Sequence, residues 1–216
     1  SEAQVSSSLR TAEKILFIEA VARQLGRRWT DDSASFIDVS IACARLQDIA
    51  QALTMEASRQ HLAGDAPFAA IVVPRGEQHT LMSYLIGALF QTMGWHQEVL
   101  IRETLEADAF ARRMARADVV CLGWSNMRLQ SYVRHLVGEI RLQSRKKNLP
   151  IIAGGIAALD FVDFLMELGI DCLCDSAYSA VSISQTYHSR NKSVPFGAPR
   201  NDGSENVLPR FDRPRP

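Results

Sequence analysis

Hydrophobic spacing divides the chain into three stretches. From Leu9, apolar residues recur at Ile15, Ile18, Val21, Ala22, Leu25 and Trp29, the three-and-four spacing that buries one stripe of a helix. Thr30-Asp31-Asp32-Ser33 then supplies turn and N-cap chemistry, because short polar side chains satisfy the free N–H groups of a helix start. A second helical stripe follows at Ile37, Ile41, Ala44, Ile49, Leu53 and Met55, widened by Val39, Ala42 and Leu46. Gly64-Asp65-Ala66-Pro67 ends it. Residues 1–65 therefore read as a helical segment, half of a bundle. Its remaining apolar face needs the next domain, upstream chain or a partner to cover it.

From Phe68 the rhythm changes. Phe68–Val73 is a short, wholly apolar run, as in a strand buried on both faces. The pattern then predicts a helix over 81–93, a strand over 99–101, a helix over 106–115 and a strand over 119–122. A long, basic-sided helix over 129–147 and a strand over 150–153 come next. A helix over 161–168, a short strand over 171–174 and a last helix over 177–188 complete the series. Strands alternating with helices across residues 66–190 imply an α/β domain with a five-stranded, doubly wound parallel sheet and helices on both faces. Ligands of such sheets sit beyond the carboxyl ends of the strands, near the switch in strand order. Residues 191–216 are rich in Pro, Arg, Asn and Gly without periodicity and read as an extended tail or linker.

Charge narrows the function classes. Lys+Arg and Asp+Glu both total 24, which argues against a nucleic-acid arm and direct DNA contact. No run approaches the ~18 apolar residues of a membrane span, and no basic-then-apolar leader opens the chain. Cys43, Cys121, Cys172 and Cys174 have neither a disulfide framework nor zinc-ligand spacing, which fits a reducing, cytoplasmic setting. The chain opens on Ser1 and not on Met, as a piece of a longer protein would.

The candidate chemistry lies just after the first, third and fourth strands. Glu77-Gln78-His79-Thr80-Leu81-Met82 comes first; 42 residues later stands Ser125-Asn126-Met127, and 26 residues after that Gly154-Gly155. These three elements, in this register, resemble the D-x-H-x-x-G, S-x-L and G-G signature of base-off cobalamin-binding domains, which have the flavodoxin-like fold. The resemblance implies that His79 is an axial ligand to the metal of a tetrapyrrole. A neutral imidazole suits that task when its second nitrogen has an acceptor to fix the tautomer. It also implies that Glu77, in the place of the family Asp, serves as that acceptor. Ser125 would bond the nucleotide tail of the cofactor, and Gly154 and Gly155 would let the tail pass close to the backbone. Met82 departs from the family glycine and puts a side chain where the tail enters; Trp124, beside Ser125, is expected to crowd the same slot. A flat tetrapyrrole such as haem would avoid both.

The E-x-H element, the absent glycine and the helical preface look closest to the cobalamin-like SCHIC domains (sensors containing haem instead of cobalamin) of the AppA, PpaA and AerR antirepressors of photosynthesis genes, the AppA branch above all. The similarity covers residues 68–189, and more weakly Gly26-Arg27-Arg28-Trp29. It implies a light- and redox-responsive regulator of transcription that carries haem or cobalamin and binds a PpsR-type repressor. An upstream sensory domain is implied as well.

Blander readings apply elsewhere. His61, His96, His135 and His188 suit solvated or core-edge positions, and the cysteines suit burial. Arg141, Arg145, Lys146 and Lys147 read as a solvated helix face that an acidic partner or DNA backbone could also meet; Asp160, Asp163 and Glu167 read as another such face. No dinucleotide fingerprint, P-loop or nucleophile elbow is present, which speaks against an enzyme. The alternatives are a ligand-free interaction domain and, less favoured, a cobalamin-carrier subunit of a methyltransferase or mutase.

Overall fold

Residues 2–58, 64–146 and 148–193 are described by the structure, a computed structural model. Two long helices, α1 (Glu2–Thr30) and α2 (Phe36–Ser58), precede the first strand. The α/β part runs β1 (Phe68–Val73), α3 (Leu81–Thr92), β2 (His96–Ile101), α4 (Ala107–Arg116), β3 (Val119–Gly123), α5 (Gln130–Gln143) and β4 (Ile151–Gly154). Two short helices, α6 (Ile156–Asp160) and α7 (Val162–Glu167), then lead to β5 (Cys172–Cys174) and α8 (Ala177–Ser193). All five strands are parallel, in the order β2-β1-β3-β4-β5. That is the doubly wound sheet expected from the alternation of elements.

Each face of the sheet owns one apolar cluster. Ala70, Val72, Val120 and Leu122 point toward Phe110 and Met114 of α4, Leu136 and Ile140 of α5, and Leu165 of α7. Ala69, Ile71, Cys121 and Ile152 point the other way, toward Leu85 and Phe90 of α3 and Ala177 and Ala180 of α8. Alternate side chains of a strand face opposite sides, so a run such as Phe68–Val73 has to be apolar throughout. All six of its residues are buried.

Four element boundaries differ from the periodic reading, each for a local reason. β2 begins at His96, earlier than expected. As an edge strand it tolerates His96, Gln97 and Glu98, whose polarity hid it. The helix expected over 129–147 stops at Gln143, because Ser144 turns extended and its hydroxyl takes the Lys146 N–H at 3.1 Å. The helix expected over 161–168 is split by Phe161, leaving α6 as an extra turn directly after β4. α8 continues past residue 188 to Ser193, into the stretch read as a tail; residues 194–216 lie outside the described residues.

The helical preface is not a separate unit with its own core. Ile15 and Ile18 of α1 and Ala50 and Leu53 of α2 join the cluster around α3 and α8. Its second stripe splits in two. Val39, Ala42, Leu46 and Leu53 turn inward, whereas Ile37, Ile41, Ile49 and Met55 are exposed, as is Trp29. The helix start is capped by Ser35 and not by residues 30–33. Ser35 Oγ accepts the Asp38 N–H (3.1 Å) and donates to the Asp38 carboxylate (2.7 Å).

The basic cluster is structural. Arg141 bonds the Asp171 carboxylate at 2.9 Å and the Leu149 and Gly169 carbonyls, and Lys146 pairs with Asp118. The two aspartates in turn accept the N–H groups of Ile151 (2.8 Å) and Phe68 (2.7 Å), where β4 and β1 begin. Among the described residues no helix is long and apolar enough to cross a membrane, and no group of three or more His, Cys, Asp or Glu could hold a metal ion.

Candidate functional site

The site is built at the carboxyl ends of β1, β3 and β4, which the sheet order makes adjacent. β1 leaves the sheet through a four-residue turn closed by the Glu77 N–H on the Pro74 carbonyl (3.1 Å), with Gly76 at φ +79°. A residue with a Cβ would be strained there. The turn directs Glu77 back under the loop, where it is buried. Its carboxylate accepts three backbone N–H groups: His79 at 2.9 Å on one oxygen, and Ser125 at 2.8 Å and Asn126 at 2.9 Å on the other. Hydrogen bonds to an ionised carboxylate are about twice as strong as neutral ones. Glu77 is therefore a staple between the loop that carries His79 and the loop that carries Ser125.

That is a different role from the acceptor for the His79 ring. The extra methylene of Glu lets the carboxylate reach across to the β3 loop, and the imidazole stands exposed. Among the described residues no group hydrogen-bonds the His79 ring or the Ser125 hydroxyl. Both are available to a ligand at the surface.

Trp124 corrects the expectation of crowding. It is wholly buried and points down into the core, its ring against Phe161 (5.6 Å) and Phe164 (5.8 Å), and its indole N–H donates to the Asn126 carbonyl at 2.7 Å. Met82 likewise folds inward, half-buried against the α3–α8 cluster. What closes the slot is backbone proximity. A Cβ on Gly155, already at φ +108°, would stand 2.3 Å from the Trp124 carbonyl oxygen, and one on Gly154 would stand 2.7 Å from Cys174 Sγ. The side chain of Ser83 sits 3.0 Å from where a Cβ would lie on Gly123, so the start of α3 presses onto the end of β3. The two glycines let neighbouring strand ends meet each other, and the path expected for a nucleotide tail is filled by protein atoms. These residues fit a metal tetrapyrrole resting on the rim at His79; they do not fit a buried nucleotide tail.

One supporting group escaped the sequence reading. Glu19 of α1 is buried, accepts the N–H of Ala177 (3.2 Å) at the start of α8, and pairs with Arg23 at 2.8 Å. Arg23 also reaches the Asp175 carbonyl. A carboxylate suits the positive end of a helix, and this one ties α1 to the rim after β5. An acid beside the apolar stripe, between Ile18 and Val21, was the signal for it. Nearby, burial pushes the Cys174 thiol up to about 12, with the neighbouring Cys172, Asp175 and Glu19 adding to the effect. Burial also pushes up Cys121, so both thiols stay protonated and unreactive. His135 is exposed with its Nδ1 2.7 Å from the Ser131 carbonyl, and His188 packs edge-on against Trp95, both away from the rim. His61 lies outside the described residues.

Sheet order, helix placement and the position of the rim define the class: an α/β module of the cobalamin-binding, flavodoxin-like fold. Solved structures of the same architecture include a novel cobalamin-binding protein from Desulfitobacterium hafniense DCB-2 (15% identity, TM-score 0.50, covering 86% of this chain and 89% of that one). The monomethylamine corrinoid protein of Methanosarcina barkeri is another (13% identity, TM-score 0.62, covering 84% and 88%). At these identities the likeness is one of fold. Among curated proteins, an uncharacterized 20.5 kDa protein of the bchF–crtJ intergenic region in Rhodobacter capsulatus is 23% identical over 167 residues, 77% of this chain and 86% of that protein. No family model matches the chain.

Proposed function

We propose that this chain is a non-catalytic regulatory domain of the cytoplasm. It offers His79 to the metal of a tetrapyrrole and relays the bound state through protein contact to a PpsR-type transcriptional repressor. The observation that carries the reading is the Glu77 staple. One buried carboxylate holds the backbone of an exposed histidine and that of the adjacent β3 loop, so a displacement at His79 is passed to Ser125 and Asn126. The resemblance to the AppA, PpaA and AerR antirepressors supports the choice of partner. The filled path between Gly155 and Trp124 favours a ligand lying on the rim, haem or a cobalamin without an inserted tail.

Titration with haemin and with hydroxocobalamin, in dark and light, tests the ligand. An absorption shift is expected in the wild type and lost in His79→Ala; a shift indifferent to that substitution overturns the assignment. Pull-down with a PpsR-type repressor tests the partner, and failure to bind with or without ligand removes it. A second reading, a cobalamin carrier, is favoured by the cobalamin-binding and corrinoid proteins that share the fold. Retention of base-off cobalamin through gel filtration would select it.

A further inference from the structure

α2 is apolar on two opposite sides. Its inner side packs on α3, as described. Its outer side carries Ile37 (66% exposed), Ile41 (49%), Ile49 (48%) and Met55 (69%), with the small residues Ala44 and Ala52 exposed between them. Positions 37, 41, 44, 48 and 55 follow the alternating three-and-four spacing of a helix–helix seam. Such a row exposed to water is the mark of an interface.

Two charges interrupt the row near its middle, Arg45 and Asp48. Both are exposed, and neither has an ion-pair partner among the described residues. An unpaired Asp inside an apolar seam would oppose association with an ordinary apolar surface. It makes sense against a surface that brings an Arg to the same place, and the helix itself supplies one. When a second α2 is laid antiparallel on the first, about a twofold axis passing between residues 46 and 47, Arg45 of each copy stands opposite Asp48 of the other. The four charges then alternate around a square, and each Arg has an Asp both across the seam and one turn along its own helix. The same register sets Ile41 opposite Ala52 and Ala44 opposite Ile49, large against small. It also centres the overlap on the middle of a 23-residue helix, so nearly its whole length, roughly 34 Å, is used. At the ends Glu56 of one copy approaches Asp38 of the other. Asp38 is held by Ser35, and both acids lie near the positive end of an α2, which softens that repulsion.

We propose that α2 is a dimerisation helix: two copies of this chain associate through the Ile37–Met55 face in an antiparallel, twofold arrangement fixed by the Arg45–Asp48 pairs. A closed twofold interface uses one patch on both partners, so charge and shape must both be self-complementary. This face is. The inference does not rest on the ligand reading, because His79 lies outside the seam.

Light scattering or sedimentation on the wild-type chain should give twice the 24.0 kDa chain mass at about 50 µM. Ile41→Glu together with Ile49→Glu should give monomer, with the helical content kept by circular dichroism because both positions face solvent in one copy. Arg45→Asp and Asp48→Arg should each weaken the dimer by about tenfold or more, and the double exchange Arg45→Asp/Asp48→Arg should restore it. A monomeric wild type overturns the proposal, including one that gains mass only when a PpsR-type repressor is added. So does a dimer indifferent to these substitutions, or one that the double exchange fails to restore. A dimer that persists in His79→Ala is expected, so loss of tetrapyrrole binding and loss of pairing are read separately.

Discussion

At the amino end of the sheet, every charge near a strand start has found a partner. Asp118 and Asp171 take the first N–H groups of β1 and β4 and are paired with Lys146 and Arg141. At the carboxyl end one carboxylate, Glu77, is saturated by backbone, while His79 and Ser125, on the loops it joins, keep their side-chain polar groups for something else. The difference teaches where function sits. A charge cluster that looks like a docking patch in the sequence is absorbed when it borders strand starts. A lone histidine with a buried staple beneath it is held in place without being used up by the fold.

Substitutions can break or sharpen this contrast. The largest loss is expected from Trp124→Ala, about 4 kcal/mol by urea unfolding, because a wholly buried ring that roofs Phe161 and Phe164 leaves a cavity. Gly155→Ala should destabilise by about 3 kcal/mol, since the new Cβ collides with the Trp124 carbonyl at a φ that L residues avoid. A stability within error of the wild type would mean that the β3 and β4 ends stand apart and the tail path is open. Glu77→Gln turns an NH2 toward backbone N–H donors and should cost about 2 kcal/mol. It should also raise hydrogen exchange at both the His79 and Ser125 amides; exchange raised at only one would break the staple argument. Lys146→Ala, at a half-exposed pair, is expected to cost only about 0.5 kcal/mol, read from the same urea curves. His79→Ala should leave stability within about 0.5 kcal/mol and abolish the tetrapyrrole shift, the reverse of the amino-end residues.

Much of the fold was legible because parallel strands buried on both faces must be apolar at every position, as Phe68–Val73 is. β2 was only partly legible, since an edge strand tolerates His96, Gln97 and Glu98. The break at Ser144 was illegible, because a single serine side chain competing with the helix leaves no periodic trace. The register of Glu77, His79, Ser125 and Gly154-Gly155 could be read in one dimension, but the direction in which Trp124 and Met82 point could not. Residues adjacent in sequence to a ligand loop face either the rim or the core, and the sheet's pleat decides which.

Sequence alone determined that residues 66–190 would form a doubly wound parallel sheet, and that its ligand chemistry would gather after β1, β3 and β4. Periodicity and loop position suffice for that, because both follow from local geometry. Only the tertiary structure decided what the gathered residues do. Glu77 grips backbone instead of imidazole, the two glycines admit neighbouring strand ends, and one row of α2 faces water. Each outcome depends on which atoms distant in the chain come within hydrogen-bond or van der Waals distance, and spacing along the chain does not encode that.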